Sequence, residues 1–420
     1  MIFFKKPLLL FLFFTPSFLW SQPYDILIKN GHVIDVKNNI NQIMDIAIVK
    51  DKIALVAPTI SAKDAVKVIN ASGLYVVPGL IDLHTHVFVG TAPDKFADGV
   101  NSVSPDNFTF KSGITTVVDA GTAGYKNFEK FKTQVIDKSQ TRVLSFLNIA
   151  GWGISGNQPS LLSKNISLEE EKFFEELNVD SALIIANKYK NMIVGVKIGH
   201  FDGSNWTPFD RAISLAEKMN APLFVECHLP QFSLEDQLNK MRPGDIITHS
   251  YEKVAERMPV VDEQGKLRPF VLAAKQRGIR FDVGHGGAGF WFEQAIPAFK
   301  QGLIPNSFGT DLHKFSVNAG MKSMLNVMSK FFTIGMAFED IIAHATWIPA
   351  QSILREDLGN LSVGSVADIA VLSILEGQYG FIDAGGSKIN GQKKLEAELT
   401  LRAGKVVWDL NGLNATLYKF

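Results

Sequence analysis

Two rhythms of apolar and polar residues alternate along this chain. From Tyr24 to about Val77 the apolar residues fall in short runs, "YDILIKNGHVIDV", "DIAIVKDKIALVA" and "KVINASGLYVV", broken by Gly, Asn and Pro, the pattern of strands joined by turns. The tail from about Leu361 repeats it in "SVGSVADIAVLSI" and "LTLRAGKVVWDL". Two β-rich ends of this kind predict one small composite β-sandwich domain made of residues 22–77 and 361–420. The stretch between them, 78–360, alternates differently. Apolar runs, each followed by a segment of helical period, recur as "GLIDLHTH", "GITTVVDAG", "RVLSFLNIAG", "IVGVKIGH", "PLFVECHLP", "DIITHSYE", "IRFDVGHGG" and "NSFGTDLH". Helix starts are signalled by Thr207 ahead of Pro208, and by Ser167 with Glu170 three residues later as a capping box. Eight buried strands with intervening helices predict an α/β fold, a (β/α)8 TIM barrel rather than an open doubly wound sheet.

The polar residues at the ends of these runs carry the chemistry. On its C-terminal side each run ends in a residue able to bind a metal or move a proton: His84 and His86, Asp119, Asn148, Lys197, His228, His249, His285 and Asp311. In a barrel the C-terminal strand ends open on one face, so these side chains converge. Strand alternation places residues 84 and 86 on the same side, where two imidazoles can grip one ion. A lone H-x-H pair is more often structural than a ligand, and a single buried lysine more often pairs with a carboxylate. Lys197 is harder to explain that way, because "VGVKIGH" surrounds it with apolar strand, where an unpaired ammonium is expensive. The ordered set H-x-H, Lys, His, His, Asp on successive strand ends points to a metal centre.

Composition narrows the partner. A chain of 420 residues with 46% hydrophobic and 20% charged residues buries a large core, which excludes disorder. Lys+Arg and Asp+Glu balance at 42 each, so no net field favours nucleic acid or anionic lipid, and a small-molecule substrate is expected. A homo-oligomer is compatible with this reading. Lys5 and Lys6, the run "PLLLFLFFTPSFLW" and Ser21 predict a signal peptide over residues 1–21, too short for a membrane span, and hence an exported protein, periplasmic or secreted. The only cysteine is Cys227, so an intrachain disulfide is excluded; alternation turns it away from His228, as a buried apolar residue. Sequons such as the one at Asn165 matter only in a glycosylating cell.

"VVPGLIDLHTH", followed by Lys197, His228, His249 and "GTDLH", resembles the amidohydrolase superfamily over nearly the whole mature chain. "GITTVVDAGTAGYKNFEKF", "LNIAGWGI" and "MRPGDIITHSYE" are similar to its amidohydrolase/deacetylase metallohydrolases, the dihydroorotase-like subgroup. The resemblance implies two divalent ions, usually zinc, at the barrel mouth. It puts His84, His86 and Asp311 on the more buried ion and His228 and His249 on the other, bridged by Lys197 carboxylated with CO2. Imidazole and carboxylate donors suit zinc, and the absence of a cysteine cluster argues against a structural thiolate site.

Two such ions would activate a water and polarise a carbonyl, with Asp311 as general base and then acid. The expected reaction is hydrolysis of an amide or ester, preferably deacetylation of N-acyl amino acids or O-acetyl hydroxy acids. The alternatives are a cyclic amidase of the dihydroorotase or hydantoinase kind, or an inactive binding protein of the same fold. Dihydroorotases usually carry an arginine soon after the H-x-H pair; here Val87 and Phe88 follow it, which weighs against that alternative. His285 in "VGHGG" and Tyr251 are the candidate substrate contacts, with His200 and His313 as weaker ones.

Overall fold

Parallel strands buried on both faces read as unbroken apolar runs, and the middle of the chain is built from them. The computed structural model describes residues 1, 22–154, 174–199, 205–226, 232–253 and 258–419. Residues 2–21, where a signal peptide is expected, the sequon at Asn165, the Ser167 and Glu170 of the expected capping box, His200, Cys227 and His228 lie outside the described residues. Among the described residues no helix is long and apolar enough to cross a membrane.

The strands run in chain order as β1 (Tyr24–Asp35), β2 (Ile40–Val49), β3 (Lys52–Ala57), β4 (Ala65–Asn70), β5 (Tyr75–Pro78), β6 (Leu80–Thr85), β7 (Val89–Ala92), β8 (Ile114–Gly124), β9 (Arg142–Asn148), β10 (Ile193–Gly199), β11 (Leu223–Glu226), β12 (Ile246–Ile247), β13 (Arg280–Phe281), β14 (Ile369–Ile382), β15 (Lys388–Arg402) and β16 (Lys405–Asp409). Seven of them form a parallel sheet in the order β13-β12-β11-β10-β9-β8-β6. Every residue of β6, β8, β10 and β11 is buried. The segment 307–312 joins the two edges: Asp282 bridges Ser307, Thr85 bridges Leu312, and the His86 amide donates to the Leu312 carbonyl at 2.9 Å. The sheet therefore curls into a barrel.

Where eight full strands were expected, β12 and β13 have two residues each and the closing segment has only bridges. The backbone explains it. His249, Gly284, Gly286 and Asp311 all have φ between 44° and 53°, left-handed values that end an extended ladder. Alternate residues of the strands feed two cores. Ile81, Leu83, Val118, Ala120, Leu144, Phe146 and Phe224 fill the inside, plugged at one end by Ala350, Ile353 and Leu358. Val117, Val143, Leu147, Val196 and Val225 face outward into a larger cluster shared with the helices.

Those helices include α1 (Val179–Lys188), α2 (Thr207–Met219), α3 (Leu234–Lys240), α4 (Pro269–Gln276), α5 (Phe292–Lys300), α6 (Met324–Thr333) and α7 (Phe338–Ala345). Asn178, Ser233 and Ser323 cap α1, α3 and α6 by accepting a first-turn amide proton. At α2 the cap differs from the expectation by a residue or two: Thr207 is already helical, and Asn205 Oδ1 accepts its amide proton at 2.8 Å.

Both chain ends supply the second sheet, in the order β16-β15-β14-β5-β1-β2-β3 with β4 paired to β1. One hydrogen-bonded path runs unbroken through it and branches at β1. It encloses its own core of Ile28, Val33, Ile46, Ile48, Ile69, Ile369 and Leu399. The long hairpin β14–β15 outgrows this sheet and reaches the barrel. There the Leu395 amide donates to Ser329 of α6 at 3.0 Å, and the Ala384 amide at the tip donates to the Phe290 carbonyl at 2.8 Å.

Candidate metal centre

His84 and His86 project from the end of β6, their ring centroids 5.4 Å apart. Asp311 Oδ1 lies 3.1 Å from His86 Nε2 and 3.5 Å from His84 Nε2. Glu226 at the end of β11 places Oε2 3.7 Å from the same His84 Nε2 and Oε1 3.0 Å from His249 Nε2. Two buried triads result, His84–His86–Asp311 and His84–Glu226–His249, with donor atoms within 4.8 Å of one another in each and His84 common to both. Phe224 forms the floor, 5.1 Å from the His84 ring and stacked on Phe146 at 4.7 Å.

Each imidazole is held in one tautomer. The Thr248 hydroxyl gives its proton to Asp282 at 2.7 Å, so toward His84 Nδ1, at 2.8 Å, it can only accept. His84 therefore carries its proton on Nδ1 and turns the lone pair of Nε2 into the site. The Gly284 carbonyl, 2.6 Å from His249 Nδ1, dictates the same choice there. His86 Nδ1 meets Thr122 Oγ1 at 2.9 Å, and Thr122 is in turn bonded to Asp119. This is the support that metal-binding histidines receive from their outer partners. His84 Nε2 is buried and has no hydrogen-bond partner among the described residues, so the donor set fits a cation at that point.

Electrostatics agree. Burial drives His84 down to about 4, against the pull of Asp311, so it is neutral and able to ligate. Burial alone would raise Asp311, but the imidazoles facing it, His84 and His313 first, hold its carboxyl well below the usual range. His249 and Asp311 sit at φ 53° and 51°, conformations that non-glycine residues adopt at a cost of ~1–3 kcal/mol and that cluster at functional sites.

The structure brings together His84, His86, Lys197, His249 and Asp311. Lys197 is fully buried on β10, over the Phe224 ring at 4.8 Å, with Nζ in a short ion pair to Glu226 Oε2. Glu226 was missed by sequence reasoning. Its signal lay in "VECH": the alternation that turns Cys227 away from the site puts residues 226 and 228 on one side.

Two expected substrate contacts are corrected. Tyr251 is fully buried among Phe290 and Phe331, its hydroxyl donating to the Leu303 carbonyl at 2.8 Å, and burial pushes the phenol well above its ordinary value. It belongs to the core, two residues past the left-handed turn at His249. His285 is fully buried too; its Nδ1 meets the Gly286 carbonyl at 3.1 Å and its Nε2 meets Lys330 Nζ at 2.6 Å, so both ring nitrogens are engaged within the protein. His313, a weaker candidate, does reach the site, with Nε2 3.4 Å from Asp311 Oδ2 and its ring 5.5 Å from Phe96.

No family model matches the chain. It is 32% identical over 340 residues to a deacetylase of Agrobacterium fabrum, covering 80% of this chain and 79% of that protein. Among solved structures, one of an adenine deaminase superposes with a TM-score of 0.79 and 26% identity over 92% of this chain and all (100%) of the other. One of a dihydroorotase superposes with a TM-score of 0.79 and 28% identity over 91% of this chain and 99% of the other.

Proposed function

The chain belongs to the amidohydrolase family, and from that premise we propose that it is a metal-dependent hydrolase of carbon–nitrogen or ester bonds, acting as a deacetylase of N-acyl amino acids or O-acetyl hydroxy acids. The observation that carries the reading is the pair of triads sharing His84, with the lone pairs of its imidazoles turned inward. Relatives named deacetylase support removal of an acetyl group as the reaction.

We take the centre as binuclear and zinc-loaded, with His84, His86 and Asp311 on one ion and His228 and His249 on the other. Zinc suits nitrogen and oxygen donors without thiolates. When bound, the ions supply an activated water and a polarised carbonyl. Asp311, kept ionised by its imidazole neighbours, takes the water's proton on a carboxylate oxygen. His313 then offers a path outward: burial lowers its pKa, but the Asp311 carboxylate more than offsets this and raises it, so it can share the proton through Nε2. Carboxylation of Lys197 belongs to the loaded state. As an ammonium Lys197 neutralises Glu226; as a carboxylate it would stand beside a second anion, which two dications balance.

The second reading, a cyclic amidase, is favoured by the dihydroorotase superposition. Against it, Val87 and Phe88 after the H-x-H pair are fully buried, and the Val87 amide donates to Asp119 at 2.9 Å, so apolar core fills the place of a carboxylate-binding arginine. We read residues 1–21 as an export signal, which N-terminal sequencing of the mature protein checks. The functional test is metal content per chain together with a screen of N-acetyl amino acids, acetylated hydroxy acids and dihydroorotate. The expected result is about two zinc ions per chain with acetate release. Ring opening without acetate release moves the assignment to the cyclic amidases, and no metal uptake from zinc and bicarbonate leaves a binding protein.

A further inference from the structure

Lys330 lies on α6, fully buried; among the described residues no carboxylate is within ion-pair distance of its amino group, and Asp383 acts on it only from further away. Its Nζ donates instead to His285 Nε2 at 2.6 Å and to the Gly320 carbonyl at 2.7 Å, beside the Phe290 ring at 5.6 Å. The Gly286 carbonyl, 3.1 Å from His285 Nδ1, can only accept, so the proton of His285 is on Nδ1 and Nε2 accepts from Lys330. Phe290 stacks on the same imidazole, with centroids 4.9 Å apart and planes at 20°.

His285 sits in the turn 284–290, and this turn touches both triads. The Gly284 carbonyl holds His249 Nδ1 at 2.6 Å. Gly286 has φ 44° and packs so closely on Asp311 that a Cβ there would overlap Oδ2. The turn is anchored on the barrel side by His285 and Gly286 amides donating to the Gly309 and Thr310 carbonyls, each at 3.0 Å. On the far side the β14–β15 hairpin tip grips the end of the turn: the Ala384 amide donates to Phe290, and Asp383 Oδ2 accepts the Phe292 amide proton at 3.0 Å.

We propose that Lys330 is a positioning residue of the metal centre: by fixing His285 it sets the 284–290 turn at the placement where Gly284 orients His249 and Gly286 leaves room for Asp311. The proposal rests on reading His249 and Asp311 as ligands. It places the control of two ligands in one buried donor that touches neither. Outer partners of this kind typically change metal affinity 10–100-fold when removed.

The test is Lys330→Met, which fills the same space without the donor. Two measurements are made on folded, metal-free protein: zinc affinity by chelator competition, and hydrogen exchange of the 284–290 backbone. The expected result is zinc bound on the order of 10–100-fold more weakly, with faster exchange in 284–290 and wild-type exchange in β8 and β10. Unchanged zinc affinity and unchanged exchange in the turn overturn the proposal, since a residue serving packing alone would lower only the unfolding midpoint. Should Lys330→Met fail to fold, Lys330→Gln, which keeps a donor toward His285, carries the same two measurements with an intermediate loss expected and no loss as the overturning result. Wild-type protein that binds zinc yet releases no acetate refutes the deacetylase reading and leaves this proposal standing.

Discussion

At Gly286 a single hydrogen separates a working site from a blocked one. With φ at 44°, an alanine there adopts a left-handed conformation at a cost of ~1–2 kcal/mol. Its methyl group would also occupy the space of Asp311 Oδ2. The backbone cost is small against the stability of a chain this size, but the displacement falls on the proposed proton acceptor. Gly286→Ala is therefore expected to stay folded by circular dichroism while kcat for acetate release falls on the order of 100-fold, the effect of misplacing a catalytic group by about 1 Å. Equal kcat would show that Asp311 need not sit where the turn now holds it. The same reasoning explains which site residues were legible in the sequence. His84 and Lys197 lie on strands and His86 directly follows β6, where alternation decides direction. Tyr251 and His285 follow left-handed residues, where it no longer does, and both turn into the protein. Glu226 was legible by alternation but was overshadowed by the histidine two residues on.

Among the elements, the helices that close the barrel bring a pH dependence of their own. His344 on α7 is held down to about 4 by burial, against a hydrogen bond to the Pro305 carbonyl that favours the charged form. Its folded-state value is below the unfolded one of 6.5, so the unfolded chain takes up a proton first as pH falls. Stability is thus lost between pH 6.5 and about 4, by at most about 3 kcal/mol at 1.36 kcal/mol per unit. In His344→Leu this loss should be missing: urea unfolding from pH 7 to pH 4.5 is expected to show a shallower decline than in the wild type, and parallel declines would place the acid sensitivity elsewhere. Element identity followed the apolar rhythm well for β6, β8, β9 and β10, where long runs are buried on both sides. For the last three positions of the barrel it gave the place but not the length. There the runs "DIITHSYE", "IRFDVGHGG" and "NSFGTDLH" carry enough apolar residues for strands, yet their backbones turn left-handed to aim His249 and Asp311, and the ladder shortens to two residues or to bridges.

For the whole molecule, the site is where the barrel is closed. His84 and His86 come from the end of one edge strand, Asp311 from the segment that joins the two edges, and Glu226 and His249 from the ends of β11 and β12, so an ion on either triad ties together parts of the chain far apart in sequence. The seam has no regular ladder: beside the bridges at Asp282–Ser307 and Thr85–Leu312, the His86, Val283, His285 and Gly286 amides donate singly to carbonyls of the closing segment, and the Asp82 and Asp282 carboxylates accept from Thr310 and Gly309. Metal binding to the folded state alone adds RT ln(1 + [L]/Kd), about 2.7 kcal/mol at free zinc 100 times Kd. Because the ligands span the seam, that energy should appear as resistance of the closure to opening and not merely as a shift in global unfolding. Stripping with a chelator is expected to lower the unfolding midpoint and to speed hydrogen exchange first in residues 307–312 and 84–86, with the β14–β15 core little changed; zinc with bicarbonate should reverse both. Faster exchange spread evenly over both sheets would instead mean that the ion stabilises the molecule without fastening its seam, and the closing segment would then depend on packing from Phe308 and its neighbours in the core.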